Sequence, residues 1–306
     1  MPKTGDKEME IIETPEVVTS YEPFSREPEY IEGNRQFIKE LPFKSVNCML
    51  DLACGTGTIS ELVLEENPDI TIYGLDLSRE SLELGQTDFK AAGFSSEDEI
   101  ILRKQQEDQI AEILLIEGTA DCLPMKDNWA EMVFQGHSIH MIPDLEKLLL
   151  EIHRVLTPGG IFAFNSSFYA GSQAEGTDHF YQLWWKFALQ YITEKSQTLQ
   201  AEGKPGIPRK RGTAKRAKPW MSKDDWFELL NKVNLQIEKV NERVIMMSQS
   251  SFETIGAYSG MAELMLSGYP VQEASEALIA GVRPALEEVG EKELPRLWLE
   301  FICKKP

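Results

Sequence analysis

Residues 50–58 read LDLACGTGT. A short apolar run, VNCMLDLA from Val46, ends in a loop with two glycines one residue apart. The following stretch, GTGTISELVLEENP, has the pattern of a helix. A strand that turns through glycines into a helix lets its backbone press close to a nucleotide-like ligand. Three ligand classes are open at this point: a dinucleotide, a nucleoside triphosphate, or a molecule without phosphate.

The dinucleotide fingerprint needs a third glycine three residues after the second. Gly55 and Gly57 fit, but Ser60 stands at the third position. The triphosphate loop G-x-x-x-x-G-K-[ST] is absent, and no lysine occurs over 50–66. Asp51 lies four residues before Gly55. A carboxylate so placed repels a pyrophosphate and suits an ammonium. Asp76 closes the next strand pattern, DITIYGLDL, where a carboxylate can accept hydrogen bonds from both ribose hydroxyls. The site calls for a ribose and a cationic group, and S-adenosylmethionine has that profile.

Strand and helix patterns alternate outward from this loop. SRESLELGQTDFKAAG starts on Ser78 as a helix N-cap and ends on Gly93. EILLIEG, AEMVFQG and GIFAFNSSF read as the third, fourth and fifth strands, and PDLEKLLLEIHRVLTPGG as an amphipathic helix. Such alternation predicts an α/β fold with a parallel sheet covered on both faces. The long connection SSEDEIILRKQQEDQIAE alternates charges with Ile100, Ile101, Ile110 and Ile113, and is expected to form an extra surface helix.

Four stretches in order resemble the class I S-adenosylmethionine-dependent methyltransferases, in particular those with the type 11 methyltransferase domain. Asp51 to Gly57 resembles the family's D-x-G/A-x-G-x-G. Asp76 matches the acid after the second strand. EGTADCLPMKDNWAEMVF at 117–134 resembles G-D-A-x-x-L-P-F-x-D-x-x-F-D-x-V, and HRVLTPGGIFAF at 153–164 resembles the R-V-L-K-P-G-G run. The match spans 45–168. One glycine pair alone would be a weak signal, but four ordered motifs are a strong one. There are departures: Ala53 replaces a commoner glycine, and Thr119 stands where an aspartate often meets the adenine amino group, a contact that could pass to Asp121.

The resemblance implies a Rossmann-like seven-stranded sheet with helices on both faces, the last strand antiparallel, plus helical cap insertions. It implies that Asp51, Ala53, Gly55 and Gly57 surround the methionine part of the donor. Asp76 and Leu77 would meet the ribose and adenine, Thr119 and Ala120 would line the adenine pocket, and Gln135 would lie near the sulfonium. No metal is implied. If the nucleophile is a hydroxyl or an acidic carbon, a base must take its proton. His140, after the fourth strand, and His179, after the fifth, are the base candidates, although many such enzymes need none. His137 shares the region of His140, while His153 reads as a packing or surface residue.

Residues 1–40 read as an arm or lid with Tyr21, Phe24 and Tyr30, residues 41–168 as the donor-binding core, and 169–306 as a half that completes the sheet. That half has strands expected at 235–248 and 296–304, with Trp298 and Phe301 on opposite faces of the second. A helical cap is expected over 176–218 and 252–290, as two helices in its second part with a kink at Pro284. HFYQLWWKFALQYITEK sets Phe180, Leu183, Trp184, Phe187 and Tyr191 on one helical stripe. Tyr21, Phe168, Trp184 and Tyr258 are the expected contacts of an apolar small-molecule acceptor. Ordinary core packing is the competing reading of such stripes.

The net charge is −19 and argues against a broad nucleic-acid surface. One run, 204–218, holds seven Lys/Arg and no acid. It reads as a solvated loop, or as a dock for an anionic acceptor or an acidic carrier protein. No signal peptide or membrane span is legible, so the expected compartment is the cytoplasm. Cys48, Cys54, Cys122 and Cys303 form no zinc or disulfide pattern. The expected activity is methyl transfer to an oxygen or carbon of a small molecule. Transfer to a macromolecule or carrier-bound acceptor, and donor binding without turnover, are the rivals.

Overall fold

The computed structural model describes residues 17–96, 101–106, 109–210 and 220–306. Its strands are β1 (Cys48–Leu52), β2 (Thr71–Asp76), β3 (Ser95–Ser96), β4 (Ile101–Gln106), β5 (Gln109–Glu117), β6 (Ala130–Gly136), β7 (Leu156–Ser166), β8 (Gln236–Ser248) and β9 (Glu293–Lys304). They form one sheet in the order β3-β4-β5-β2-β1-β6-β7-β9-β8. The five strands from β5 to β7 are parallel. β9 runs antiparallel to both β7 and β8.

The sheet has nine strands among the described residues, not seven. The two extra strands, β3 and β4, come from the connection expected to be a surface helix. Ile101–Gln106 pairs antiparallel with β5 instead, setting Leu102 opposite Ile113 with both fully buried. Of the isoleucines in that stretch, Ile101 lies on β4 and Ile110 and Ile113 on β5, two strands of a hairpin, while Ile100 lies outside the described residues. A period-2 pattern with one buried face satisfied the backbone in an edge pairing that helical spacing does not reveal.

The helices are α1 (Glu22–Ser25), α2 (Pro28–Ile38), α3 (Thr58–Glu66), α4 (Arg79–Ala91), α5 (Leu145–Val155), α6 (Asp178–Ala201), α7 (Lys223–Lys232), α8 (Gln249–Ala257), α9 (Ser259–Met265) and α10 (Val271–Val289). Local chemistry starts several of them. The Ser78 hydroxyl accepts from Ser81 N–H at 3.1 Å at the head of α4, and Ser222 and Asp225 close a reciprocal box at the head of α7. Three helices, not two, fill 249–289, and α10 runs on through Pro284.

Three apolar clusters hold the layers. On one face of the sheet, Leu148, Leu149 and Ile152 of α5 and Trp226 and Leu230 of α7 cover β1, β6, β7 and β9. On the other face, Phe37 and Ile38 of α2, Leu62 and Val63 of α3 and Phe89 of α4 do the same. The third cluster joins α6, α8, α9 and α10 with Phe24, Tyr30 and Trp298. β9 serves both sides, because Trp298 packs in the third cluster while Leu299 and Phe301 pack in the first. α2 is tied to the far edge: Arg243 of β8 donates to Gln36 of α2 at 3.0 Å, to Glu40 just beyond it at 2.9 Å and to Glu300 of β9 at 2.6 Å. All four cysteines are free. No described helix is long and apolar enough to cross a membrane.

Candidate functional site

In strand order the chain moves outward from β1 to one side through β2 and β5, then returns to the other side through β6 and β7. Ligands of open α/β sheets bind at such a reversal, beyond the carboxyl ends of the strands. The glycine loop lies there. Ala53, Gly55 and Gly57 all have left-handed backbone, with φ of 57°, 57° and 90°. A side chain at Gly55 would meet nothing within 4 Å, so the loop leaves open space above it. Helix α4 closes tightly behind, since a Cβ on Gly85 would stand 2.6 Å from the Thr56 carbonyl oxygen.

Asp76 organises this corner. Its Oδ2 accepts from Gly55 N–H and its Oδ1 from Ser78 N–H, both at 2.8 Å. One carboxylate thereby joins the loop after β1 to the head of α4. Asp51 is buried below the loop, where its Oδ2 accepts from Ser60 Oγ at 2.6 Å and its Oδ1 has no partner among the described residues. Burial pushes its carboxyl up to about 7; the Ser60 hydrogen bond opposes this and the Asp76 charge adds to it.

A cavity of about 350 Å³ opens over the loop. At one end it is bordered by Ala53, Gly55 and Asp76, and at the other by Tyr21, Tyr30, His137, His140, Met141 and Tyr258. Tyr21 meets Tyr258 edge-on at 5.2 Å, so the segment before α1 and the α8–α9 junction close the roof together. Tyr258 Oη also donates to Met141 Sδ at 3.1 Å. His137 follows β6 in a left-handed conformation, φ 48°, which is strained for any residue but glycine. Its ring lies between Tyr30 (5.0 Å) and Trp298 (4.1 Å). A chain of buried amides supports it: His137 N–H donates to Asn165 Oδ1, Asn165 Nδ2 to Asn34 Oδ1, and Asn34 Nδ2 to Tyr30 O. His140 stacks on Phe168 at 4.2 Å. Burial, then the Arg296 charge, lowers its imidazole to about 4, so it is neutral at pH 7.

Residues 50–164 match a family model described as a methyltransferase domain. The chain carries a methyltransferase domain. Two curated relatives are demethylmenaquinone methyltransferases. That of Geobacillus stearothermophilus is 34% identical over 133 residues, 43% of this chain and 50% of the relative. That of Lactobacillus johnsonii is 32% identical over 127 residues, 41% of this chain and 46% of the relative. The chain therefore spans about half the length of the curated relatives it matches. Among solved structures, a putative sarcosine dimethylglycine methyltransferase from Galdieria sulphuraria aligns with a TM-score of 0.52 and 16% identity, covering 94% of both chains. The [4+2]-cyclase SpnF aligns with a TM-score of 0.51 and 15% identity, over 90% of this chain and 80% of its own. These two likenesses concern the fold. S-adenosylmethionine is the methyl donor that the sequence motifs imply for such a domain.

Around Gly55 and Asp76 the site has the room and the carboxylate that such a donor needs. Open space lies above Gly55, and the Asp76 carboxylate borders the cavity beside it. Leu77, next to Asp76, is 71% exposed, an apolar side chain left without cover at a strand end. Thr119 and Ala120 do not line the cavity, and the Thr119 hydroxyl donates to Asp121, which pairs with Lys147 at 3.1 Å. Thr119 is therefore engaged within its own turn. Gln135 is fully buried with both amide atoms unpartnered among the described residues, and it does not line the cavity either.

Of the residues expected outside the domain's core motifs, the structure brings Tyr21, His140 and Tyr258 into the cavity. Phe168 backs His140 from outside it. Trp184 lies elsewhere, buried in the cap cluster with its indole N–H donating to Leu278 O at 2.7 Å, and His179 is exposed in the first turn of α6. A helical stripe packs against the nearest apolar face, and for α6 that face is α10. Of the basic run, 211–218 lies outside the described residues. In the described part, Arg209 stacks on Tyr269 at 5.0 Å and Lys210 N–H bonds Gly268 O at 2.8 Å, beside a separate groove of about 560 Å³. Asn34, Asn165 and Arg296 were not singled out from the sequence, and His137 was named only as sharing the region of His140. The two histidines spaced three apart after a fourth strand were the available hint for His137, and nothing local marks the other three.

Proposed function

We propose that this protein moves a methyl group from S-adenosylmethionine to an oxygen or carbon of a small apolar acceptor. The observation that carries this reading is the single cavity that runs from the glycine loop and Asp76 to the tyrosine and histidine end. Donor and acceptor must meet in line, and one shared cavity is the simplest device for that. Orientation of this kind supplies on the order of 7–11 kcal/mol of a bimolecular barrier.

The donor, when bound, supplies a methyl group already activated on a sulfonium. The chain's own tasks are to bind, align and exclude water. Gly55 and Ala53 would let the backbone approach the methionine part, Asp76 would accept from the ribose hydroxyls, and Leu77 would cover the adenine. Tyr21 and Tyr258 would roof the acceptor, and His140, stacked on Phe168, would shape its floor. Neutral and weakly basic, His140 suits packing or hydrogen bonding better than proton abstraction.

The acceptor class rests on the cavity's aromatic end and its size, which falls in the range of small-molecule sites, about 300–1,000 Å³. The relatives named demethylmenaquinone methyltransferases support an aromatic, apolar acceptor of that kind. The fold by itself does not assign the chemistry, since a [4+2]-cyclase shares it.

The test is incubation of the full chain with methyl-labelled S-adenosylmethionine and an extract of small molecules, followed by mass identification of the labelled product. A labelled apolar product is expected. Label found only in protein or RNA would move the reading to a macromolecular acceptor. Donor binding with no labelled product at all would favour a protein that binds without turnover.

A further inference from the structure

Four polar atoms at the acceptor end of the cavity are unsatisfied among the described residues. Tyr21 Oη, both ring nitrogens of His137 and Nδ1 of His140 are buried without a hydrogen-bond partner among the described residues. All three side chains line the cavity. Buried polar atoms in a folded protein are nearly always paired, and leaving one unpaired costs about 1–3 kcal/mol. Three such side chains converging on one space mark the place of a polar group from a ligand.

The charge around them gives that group its sign. Arg296, at the start of β9, is 5% exposed. Its guanidinium donates to Tyr181 Oη at 3.0 Å and to Ser167 O at 2.7 Å, and both acceptors are neutral. It lies over the Phe168 ring at 5.6 Å, and that ring stacks on His140. No carboxylate pairs with it among the described residues. A buried cation without a counter-charge is costly unless an anion offsets it.

The other ionisable groups here do not supply that anion. Glu22 of α1 pairs with Arg26. Asp76 and Glu80 border the donor end, and Asp51 is held by Ser60 beneath the loop. Tyr30 and Tyr258 are phenols whose ionisation is pushed up by burial.

We propose that the acceptor end is an oxyanion site, which takes an acidic hydroxyl, phenolic or enolic, as its anion, with Tyr21 and His137 as hydrogen-bond donors and Arg296 as the balancing charge. The use of that anion rests on the methyl-transfer reading above, but its binding does not. Burial holds Tyr21 well above the usual phenol range, so it keeps its proton and donates. Burial, with His140 and Arg296, holds His137 well below the usual imidazole range, so it is neutral with one N–H to give.

The acceptor leaves its proton in solvent on entering. Its electron pair, on oxygen or on the conjugated carbon, then forms the bond to the methyl carbon as the carbon–sulfur bond breaks. That bond's electron pair stays on sulfur, so anion and sulfonium are both neutralised; a carbon acceptor then gives its ring or chain proton to solvent while its oxygen takes one from solvent, which restores the hydroxyl. No base is required in a pocket whose histidines are poor ones.

The probe is 4-nitrophenol, whose absorbance reports its own ionisation. It is titrated with pH in the presence of the full chain, with and without saturating S-adenosylhomocysteine, whose own binding is measured by calorimetry. The ionisation constant of the bound probe should rise about tenfold or more, an apparent pKa lower by about one unit. Arg296→Met should abolish most of that shift and Tyr21→Phe should reduce it, while Arg296→Lys should retain it. Tyr21→Phe removes only one buried oxygen and keeps the test open if Arg296→Met fails to fold.

A probe bound with unchanged or raised pKa overturns the proposal. So does a shift that survives in both Tyr21→Phe and Arg296→Met, or a probe that does not bind in either state. If S-adenosylhomocysteine fails to bind while the probe still ionises on the protein, the methyl-transfer reading falls and the oxyanion site stands.

Discussion

Asp51 and Asp76 are both acids of one short segment of the fold, and their surroundings give them opposite tasks. Asp76 accepts two backbone hydrogen bonds that hold the glycine loop against α4. Hydrogen bonds to a charged group contribute about 1.5–3 kcal/mol each. Asp76→Ala should therefore weaken binding of S-adenosylhomocysteine at least ~tenfold by calorimetry, and unchanged affinity would remove Asp76 from the donor site. Asp51 is held near 7 in the fold, against about 4 in an unfolded chain. The folded state binds this proton more tightly, so its contribution to stability is greatest below about pH 4, declines as pH rises to 7 and is level beyond. Asp51→Asn keeps the shape without the charge. Its melting temperature relative to the natural chain should rise between pH 5 and pH 8. A difference that stays constant over that range would mean that Asp51 ionises normally.

At the scale of elements, the site depends on how closely α4 lies behind the loop. Gly85 permits that approach because any side chain there would press on the backbone at Thr56. Gly85→Ala should cost about 1–3 kcal/mol in urea unfolding, the usual range for overpacking. It should also weaken donor binding, because the loop must give way. An alanine variant as stable as the natural chain, with unchanged affinity, would show that α4 can slide freely. The elements around this contact were legible in the sequence: the Ser78 cap, the apolar run of β1 and the acid ending β2 are all local signals. The hairpin of β4 and β5 was not. Its pattern depends on which partner strand stands beside it, and pairing between residues such as Leu102 and Ile113 has no helical or single-strand signature.

At the scale of the whole molecule, cap and sheet share one strand. Trp298 packs with the cap helices while Leu299 and Phe301, on the same strand, pack under α5 and α7. The cap should therefore not unfold on its own. Two variants that keep only Trp184 or only Trp226 would report the cap and the sheet separately, and their denaturant midpoints should coincide. Separate midpoints would show a cap that opens independently. The roof has the same mixed origin, since Tyr21 precedes α1 and Tyr258 stands between α8 and α9. Arg26 fixes the first of these to the core through Glu61 and Asp88, both at 2.8 Å.

The sequence alone determined the glycine-loop corner, proposed above to hold the donor: the strand, the paired glycines, Asp51 and Asp76 lie within one βαβ unit, where spacing dictates geometry. It also determined that helices after residue 168 would have to cover something. The tertiary structure alone decided which of their aromatics face the cavity. Trp184 and Tyr258 look alike as members of apolar stripes, yet one packs inward against α10 and the other closes the roof. It alone brought Tyr21 and His137 to one end of that cavity, with Arg296 behind it against Phe168, from the first, middle and last parts of the chain. Contacts of that separation arise from packing of whole elements, and no local pattern encodes them.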